Sequence, residues 1–154
     1  MDPLTREIMV KILLALILGL IVGFERWYKG KAAGIRTYAL VSMGSALFTV
    51  LSVHGFGQSF GTDPSRIAAQ VVVGVGFIGA GLIFFRDGGV RGLTTAAGIW
   101  ASSAIGMAVG VGFYSVAIYT VFLTLLILAG IRFIEKIMPR PPEKDRESSD
   151  ASDE

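Results

Sequence analysis

The chain has no cysteine and a single histidine among its 154 residues. The absence of cysteine excludes a disulfide framework and any thiolate metal site. Charged residues are also scarce, at 17% against about 25% in an average soluble domain. Hydrophobic residues make up 53% of the chain, and the mean hydropathy is +0.65. This composition is typical of a membrane protein and does not favour a soluble enzyme.

Long uncharged runs divide the chain into five predicted transmembrane helices. A helix needs about 20 apolar residues to cross the ~30 Å hydrocarbon core, and residues 67–85 supply an uncharged run of 19. Residues 92–131 carry no charge and are too long for one crossing, so the Gly110-Val111-Gly112 segment is the expected break. We therefore predict an all-α membrane protein with spans at residues 8–24, 37–53, 67–85, 93–109 and 114–133.

The distribution of lysine and arginine predicts the orientation of these spans. Basic residues cluster after span one, between spans three and four, and after span five, whereas the other two loops carry only Arg66. Basic loops remain on the cytoplasmic side of a membrane, so we predict that the N-terminus lies outside and the C-terminus in the cytoplasm. The transmembrane domain then covers residues 1–138, and residues 139–154, rich in proline and charge, form a disordered cytoplasmic tail.

The chain contains 20 glycines, and their spacing predicts close packing of helices. Small residues four positions apart allow transmembrane helices to approach closely, either within one subunit or between subunits. The G-x-G-x-x-G pattern of residues 74–79 also matches a dinucleotide-binding turn, but no soluble βαβ unit surrounds it and no acidic residue follows at the required distance. We predict a homo-oligomer, with a dimer favoured. The predicted packing glycines are Gly19, Gly23, Gly74, Gly76, Gly79, Gly81, Gly106 and Gly110.

Carboxylates are few beside the predicted spans, so their positions are informative. Glu25 and Asp87 both fall on the cytoplasmic rim, each next to an arginine. One interpretation is ion pairing that fixes the loops, and the other is an ionisable cluster at the mouth of a polar cavity. Mg²⁺ accepts one or two carboxylates and retains its waters, so Glu25 and Asp87 are its candidate ligands. The surrounding lysines and arginines fit an anionic lipid head group or phosphate equally well.

Uncharged polar residues inside the predicted spans include Gln70, Thr94 and Thr95. Such side chains either bond across helices or line a transport path. The sequence contains no nucleophile–base pair, no histidine-rich zinc pattern and no Walker-type loop, so we predict no enzymatic activity. The basic loops are explained by membrane topology, and we predict no nucleic-acid partner.

Several stretches together resemble the MgtC/SapB family of bacterial inner-membrane proteins. The matching residues are 23–26 (GFER), 30–37 (GKAAGIRT), 40–48 (LVSMGSALF), 66–81 and 90–97 (VRGLTTAA), with Trp100. The resemblance implies a multi-pass protein of the bacterial cytoplasmic membrane linked to growth under magnesium limitation, to stress and, in pathogens, to survival inside host cells. It also implies regulation of membrane energetics, including the ATP synthase, and functional roles for Glu25, Arg26, Asp87, Arg91 and Thr94.

This chain departs from the family pattern in two places. Some members carry asparagine at the position of Thr94, and longer members add a folded cytoplasmic domain where this chain has its predicted tail. We expect a regulator of ion homeostasis or of another membrane protein; the alternative is a small cation transporter or channel with a carboxylate site at the rim. The predicted rim cluster comprises Glu25, Arg26, Arg36, Asp87, Arg91 and Thr94, and Mg²⁺ is the one candidate cofactor.

Overall fold

Helices dominate the computed structural model, which describes residues 2–55, 63, 65–86 and 89–131. The end of predicted span five, the predicted tail and Asp87 lie outside these residues. A two-stranded antiparallel ribbon separates the third and fourth helices, and a π-helical segment continues the fifth. The elements are α1 (Pro3–Tyr28), α2 (Ile35–His54), α3 (Ser65–Ala80), β1 (Phe84–Arg86), β2 (Gly89–Arg91), α4 (Leu93–Gly110), α5 (Tyr114–Leu125) and the π-helical segment (Leu126–Ile131).

Three helices in the described part of the chain, α1, α2 and α4, are long and apolar enough to cross a membrane. Two shorter apolar helices cover residues 65–80 and 114–130. The prediction of a mostly helical protein built from apolar spans is therefore confirmed. The predicted break after Gly110 is also confirmed, because α4 ends there and Gly112 adopts a φ of +90° before α5 begins.

The predicted third span, residues 67–85, is wrong at its C-terminal end. α3 ends at Ala80, because the amides of Leu82 and Ile83 bond to carbonyls only three residues back and tighten the last turn. The chain then forms the ribbon of β1 and β2, so the fold is not purely α-helical. Gly92 closes this ribbon with a φ of +90°, and a Cβ at this position would overlap the carbonyl oxygen of Leu82. Hydropathy predicted an apolar run but could not predict this change of backbone geometry.

α2 lies at the centre of the bundle, packed between α1 and α4. Glycines remove the side chains that would hold these helices apart. The pair Gly19 and Gly23 of α1 lies against one side of α2, and the pair Gly106 and Gly110 of α4 lies against it as well. A Cβ on Gly106 would overlap the carbonyl oxygen of Ser42. Both predicted Gly-x-x-x-Gly pairs therefore form contacts within one subunit.

Serine hydroxyls connect α2 to both neighbouring helices. Ser42 donates a hydrogen bond of 2.8 Å to the carbonyl of Ala15 in α1. The hydroxyls of Ser45 and Ser103 in α4 are 2.9 Å apart and share another hydrogen bond. All three serines are buried, so these bonds satisfy polar groups that would otherwise be costly inside the bundle.

Of the five α-helices in the described chain, α3 buries the smallest share of its residues. It buries only Val71, Val75 and Gly79, which face α4 and α2. Gly74 and Gly76, which we predicted as packing glycines, have no atom within 4 Å of an added Cβ, and Gly81 lies beyond the end of the helix. The predicted glycine face of α3 is thus only partly used within one subunit.

Asp63 fixes the start of α3. Its carboxylate accepts hydrogen bonds from the amide of Ser65 at 2.8 Å and from the hydroxyl of the same residue at 2.7 Å. These bonds favour the ionised form and lower the pKa of Asp63.

Candidate functional site

Arg26 is a buried cation near the C-terminal end of α1, with 3% of its surface exposed. Its Nη2 donates a hydrogen bond of 3.1 Å to the hydroxyl of Thr95 in α4. Its Nη1 lies 3.8 Å from the carboxylate of Glu25. Its Nε has no hydrogen-bond partner among the described residues. Because an unpaired buried charge is strongly unfavourable, these contacts hold α1 against α4 at this level.

Glu25 is paired with Lys29, one helical turn further along α1. The Lys29 Nζ lies 2.6 Å from the Glu25 Oε1 and donates a hydrogen bond of 3.2 Å to the carbonyl of Leu128. Despite this short distance, neither Glu25 oxygen has a hydrogen bond of acceptable geometry within the described chain. We therefore regard the Glu25 carboxylate as held by charge attraction, with its lone pairs still able to accept hydrogen bonds. Through Lys29, it also connects α1 to the π-helical segment.

Tyr38 completes the cluster from α2. Its side chain is fully buried, and its hydroxyl donates a hydrogen bond of 3.2 Å to the backbone carbonyl of Thr95. Its own carbonyl accepts a hydrogen bond of 3.1 Å from Ser102 of α4. The ring lies directly over Gly98, where any Cβ would overlap the tyrosine hydroxyl. We call Glu25, Arg26, Lys29, Tyr38 and Thr95 the Arg26 cluster.

The structure brings together three of the residues predicted from sequence, Glu25, Arg26 and Thr95. Arg36, Arg91 and Thr94 are exposed, and none of them forms a side-chain hydrogen bond or ion pair with the part of the chain that is described. Arg36 is the second residue of α2, whereas the other two flank the start of α4. The predicted rim residues therefore divide into a buried cluster and an exposed group.

Gln70 lies apart from the Arg26 cluster, on α3. Its side chain is exposed and has no hydrogen-bond partner among the described residues. Asp87 lies outside the described residues, so its predicted place on the same rim as Glu25 stays a prediction.

The described residues include only one of the two predicted cation ligands, Glu25. They contain no group of three or more histidine, aspartate or glutamate side chains placed to hold a metal. The Glu25 carboxylate lies beside the two cations Arg26 and Lys29, and their positive charges oppose the binding of a second cation.

Lys29, Tyr38 and Gly98 were missed as site residues by the sequence interpretation. Lys29 follows Glu25 by four positions, a spacing that places both side chains on one helix face and could have suggested the ion pair. Tyrosine usually finds a partner for its hydroxyl when it is buried. That rule could not identify the Thr95 carbonyl, because the contact depends on how α2 and α4 cross.

The hydroxyl of Tyr38 and the missing side chain at Gly98 should be energetically coupled. We expect Tyr38→Phe to lower the free energy of unfolding by about 1 kcal/mol, because one interhelical hydrogen bond is lost. Gly98→Ala should cost about 2 kcal/mol by overpacking, and less in the Tyr38→Phe background, where the overlapping hydroxyl is absent. Unfolding by sodium dodecyl sulfate in mixed micelles gives the free energy of unfolding of the wild type, the two single variants and the double variant. An equal cost of Gly98→Ala in both backgrounds would contradict this contact.

These features define an α-helical membrane protein whose helices are joined by buried polar contacts. The chain belongs to the MgtC family, whose sequence model matches residues 12–137. This confirms the resemblance seen in the sequence.

Named relatives support the same assignment. The chain is 51% identical over 130 residues to the "Putative magnesium transporter YhiD" of Escherichia coli K12, covering 81% of this chain and 60% of that protein. It is 47% identical over 110 residues to Protein MgtC of Brucella abortus, covering 71% of this chain and 45% of the relative. It is 40% identical over 138 residues to Protein SrpB of Synechococcus elongatus, covering 82% and 76%. The chain thus spans about half of the length of the YhiD and MgtC relatives. No solved structure matches it.

Proposed function

We propose that this chain crosses the bacterial cytoplasmic membrane five times, with its N-terminus outside and its C-terminus in the cytoplasm. The distribution of basic residues supports this orientation, since the loops after α1 and between α3 and α4 carry most of the positive charge. The two shorter apolar helices would cross together with the three long ones. Trp27 and Tyr28, both exposed at the end of α1, would lie at the level of the lipid head groups.

Within that arrangement, the proposed function is regulation in magnesium-linked homeostasis or stress adaptation. The chain would act on membrane energetics or on another inner-membrane protein, such as the ATP synthase. Membership of the MgtC family supports the link to magnesium, as does the name of the E. coli relative. Neither observation separates a regulator from a transporter, whereas the hydrogen bonds of the polar groups in the bundle favour a regulator.

The observation that favours a regulator is that buried polar side chains form hydrogen bonds to side chains or backbone carbonyls of neighbouring helices. Arg26 bonds to Thr95, Ser45 bonds to Ser103, and Ser42 bonds to a carbonyl of α1. A transport pathway requires polar groups that are open to water and can replace the hydration shell of an ion. In this bundle the same groups stabilise contacts between helices, as expected of a rigid scaffold that binds a partner.

A second candidate, a small cation transporter or channel, is favoured by one observation. Both oxygens of Glu25 lack a hydrogen bond of acceptable geometry among the described residues, so this carboxylate retains capacity to accept a ligand. In this alternative, Glu25 and Asp87 would form the site at the cytoplasmic rim, and Lys29 would have to move away from Glu25 to expose it.

Magnesium flux into proteoliposomes distinguishes the two candidates. We expect the purified protein to give no flux above protein-free vesicles, while its loss from the bacterium impairs growth in low magnesium. The double variant Glu25→Gln/Asp87→Asn is the matched control for the carboxylate site. Flux that is present in the wild type and absent in this variant would establish the transporter and overturn the regulatory proposal.

A further inference from the structure

One face of α3 is exposed along the full length of the helix. It carries Arg66, Gln70, Val73, Phe77 and Ala80, and we call this set the α3 stripe. Val73 is 68% and Phe77 is 83% exposed, and the other three are also exposed. The opposite face of α3 is the one that packs on α4 and α2. The stripe is therefore not covered by the described part of its own subunit.

The spacing of the α3 stripe is that of a helix–helix seam. Its members follow one another at intervals of four, three, four and three residues, the a/d spacing of a coiled coil. Gly74 and Gly76 flank the seam on either side, and an added Cβ at either position meets no atom within 4 Å. A second helix could therefore approach the stripe closely.

Exposed valine and phenylalanine need no partner in lipid, but Gln70 does. Gln70 is the sixth residue of α3 and lies about 8 Å along the helix axis from Ser65. If α3 crosses the membrane, as in the proposed arrangement on which this inference rests, the amide lies within the hydrocarbon region. An amide without a hydrogen-bond partner in an apolar medium costs several kcal/mol. Among the described residues of the subunit no partner is present.

We propose that the α3 stripe is the interface with a second copy of this chain. All copies insert in the same orientation, so a two-fold axis along the membrane normal places two α3 helices side by side and in parallel. Gln70 then faces Gln70. Because a glutamine side chain both donates and accepts, each amide can satisfy the other. A single polar residue in such a seam also fixes the register of the two helices.

The charges at the outer end of the stripe are compatible with this interface. Arg66 of one copy would approach Arg66 of the other, but this end of α3 lies at the membrane surface, where water and salt screen like charges. Asp63 lies close enough to attract Arg66 within the same subunit, which reduces the repulsion further.

The absence of native cysteine allows a direct test by disulfide cross-linking in native membranes. We expect Val73→Cys to form covalent dimers on oxidation, and two differently tagged copies to be captured together. The matched control is Phe48→Cys, which is 51% exposed on α2 at a similar distance from the outer end of its helix. No dimer at residue 73, equal cross-linking at residue 48, or cross-linking of residue 73 to a different protein would each overturn the proposal.

The contribution of Gln70 is tested separately in vesicles by energy transfer between labelled copies. Gln70→Leu should lower the lipid dilution at which half of the protein is dimeric by about tenfold, whereas Gln70→Asn should restore most of the association. The side chain is exposed, so both variants should fold as monomers. Unchanged association of Gln70→Leu would overturn the role of the amide.

A further labelling experiment separates failure of the membrane arrangement from failure of the interface. Gln70→Cys should resist a membrane-impermeant maleimide in intact cells. Rapid labelling would place residue 70 in water. This result would contradict the proposal that α3 crosses the membrane, and Gln70 would then need no partner in a second copy. Protection without cross-linking at residue 73 would leave the arrangement intact and reject the dimer.

Discussion

Gly106→Ala should destabilise the protein by about 3 kcal/mol or more, although it adds only a single methyl group. The added Cβ would overlap the carbonyl oxygen of Ser42, which belongs to the backbone of α2 and cannot rotate away. Relief requires α4 to move from α2, and that movement would break the contact between Ser45 and Ser103 as well. Unfolding in mixed micelles measures the loss, followed by tryptophan fluorescence.

The matched control is Gly44→Ala, in the middle of α2. An added Cβ at this position meets no atom within 4 Å. The substitution should be neutral or should stabilise the protein by up to about 1 kcal/mol, because alanine favours a helix over glycine. If the Gly106→Ala and Gly44→Ala proteins are half unfolded at the same fraction of sodium dodecyl sulfate, α4 does not approach α2 as closely as described.

Arg26→Gln should lower the free energy of unfolding by roughly 3 kcal/mol and abolish growth support in low magnesium. The substitution removes a buried charge that holds α1 to α4 and leaves Glu25 with Lys29 as its one described ion-pair partner. Arg26→Lys should not restore stability, because a single ammonium cannot reproduce the planar guanidinium that reaches both Glu25 and Thr95. Arg36→Gln is the matched control: Arg36 is exposed, and the change in stability should stay within about 0.5 kcal/mol.

A double-mutant cycle with Thr95→Val isolates the contact between the guanidinium and the threonine hydroxyl. We expect a coupling of about 1–2 kcal/mol, within the range of interhelical hydrogen bonds in membranes and of bonds to charged groups. If the losses in free energy of unfolding from Arg26→Gln and Thr95→Val simply add in the double variant, the 3.1 Å contact contributes nothing to stability. Growth in low magnesium then tells whether the rigidity of this cluster matters for function.

The buried cluster shows which part of a site can be inferred from sequence. Glu25 and Arg26 were identifiable because charges are rare beside apolar spans, and Thr95 because it is polar within one. Their partners were harder to find, since Lys29 resembled one more basic loop residue and Tyr38 one more aromatic residue near a membrane surface. The contacts that unite them join residues 69 and 57 positions apart in the chain, and local patterns carry no information on such pairs.

The glycines show the same division. The spacing of Gly19 with Gly23 and of Gly106 with Gly110 predicted close contacts, which the bundle forms. The same kind of pattern in α3 predicted a packing face, yet Gly74 and Gly76 remain open within the subunit. Spacing indicates that a helix can be approached closely, whereas the identity of the neighbour depends on the arrangement of all the helices.

By itself, the sequence determined the class of the protein, the positions of most helices and the family to which it belongs. These properties follow from hydropathy, charge and short motifs, which act locally along the chain. Only the tertiary structure decided that α3 ends at Ala80, that Arg26 bonds to Thr95, and that Gln70 faces outward. Each of these depends on backbone geometry or on the crossing of distant helices, where a shift of a few ångströms exchanges one neighbour for another.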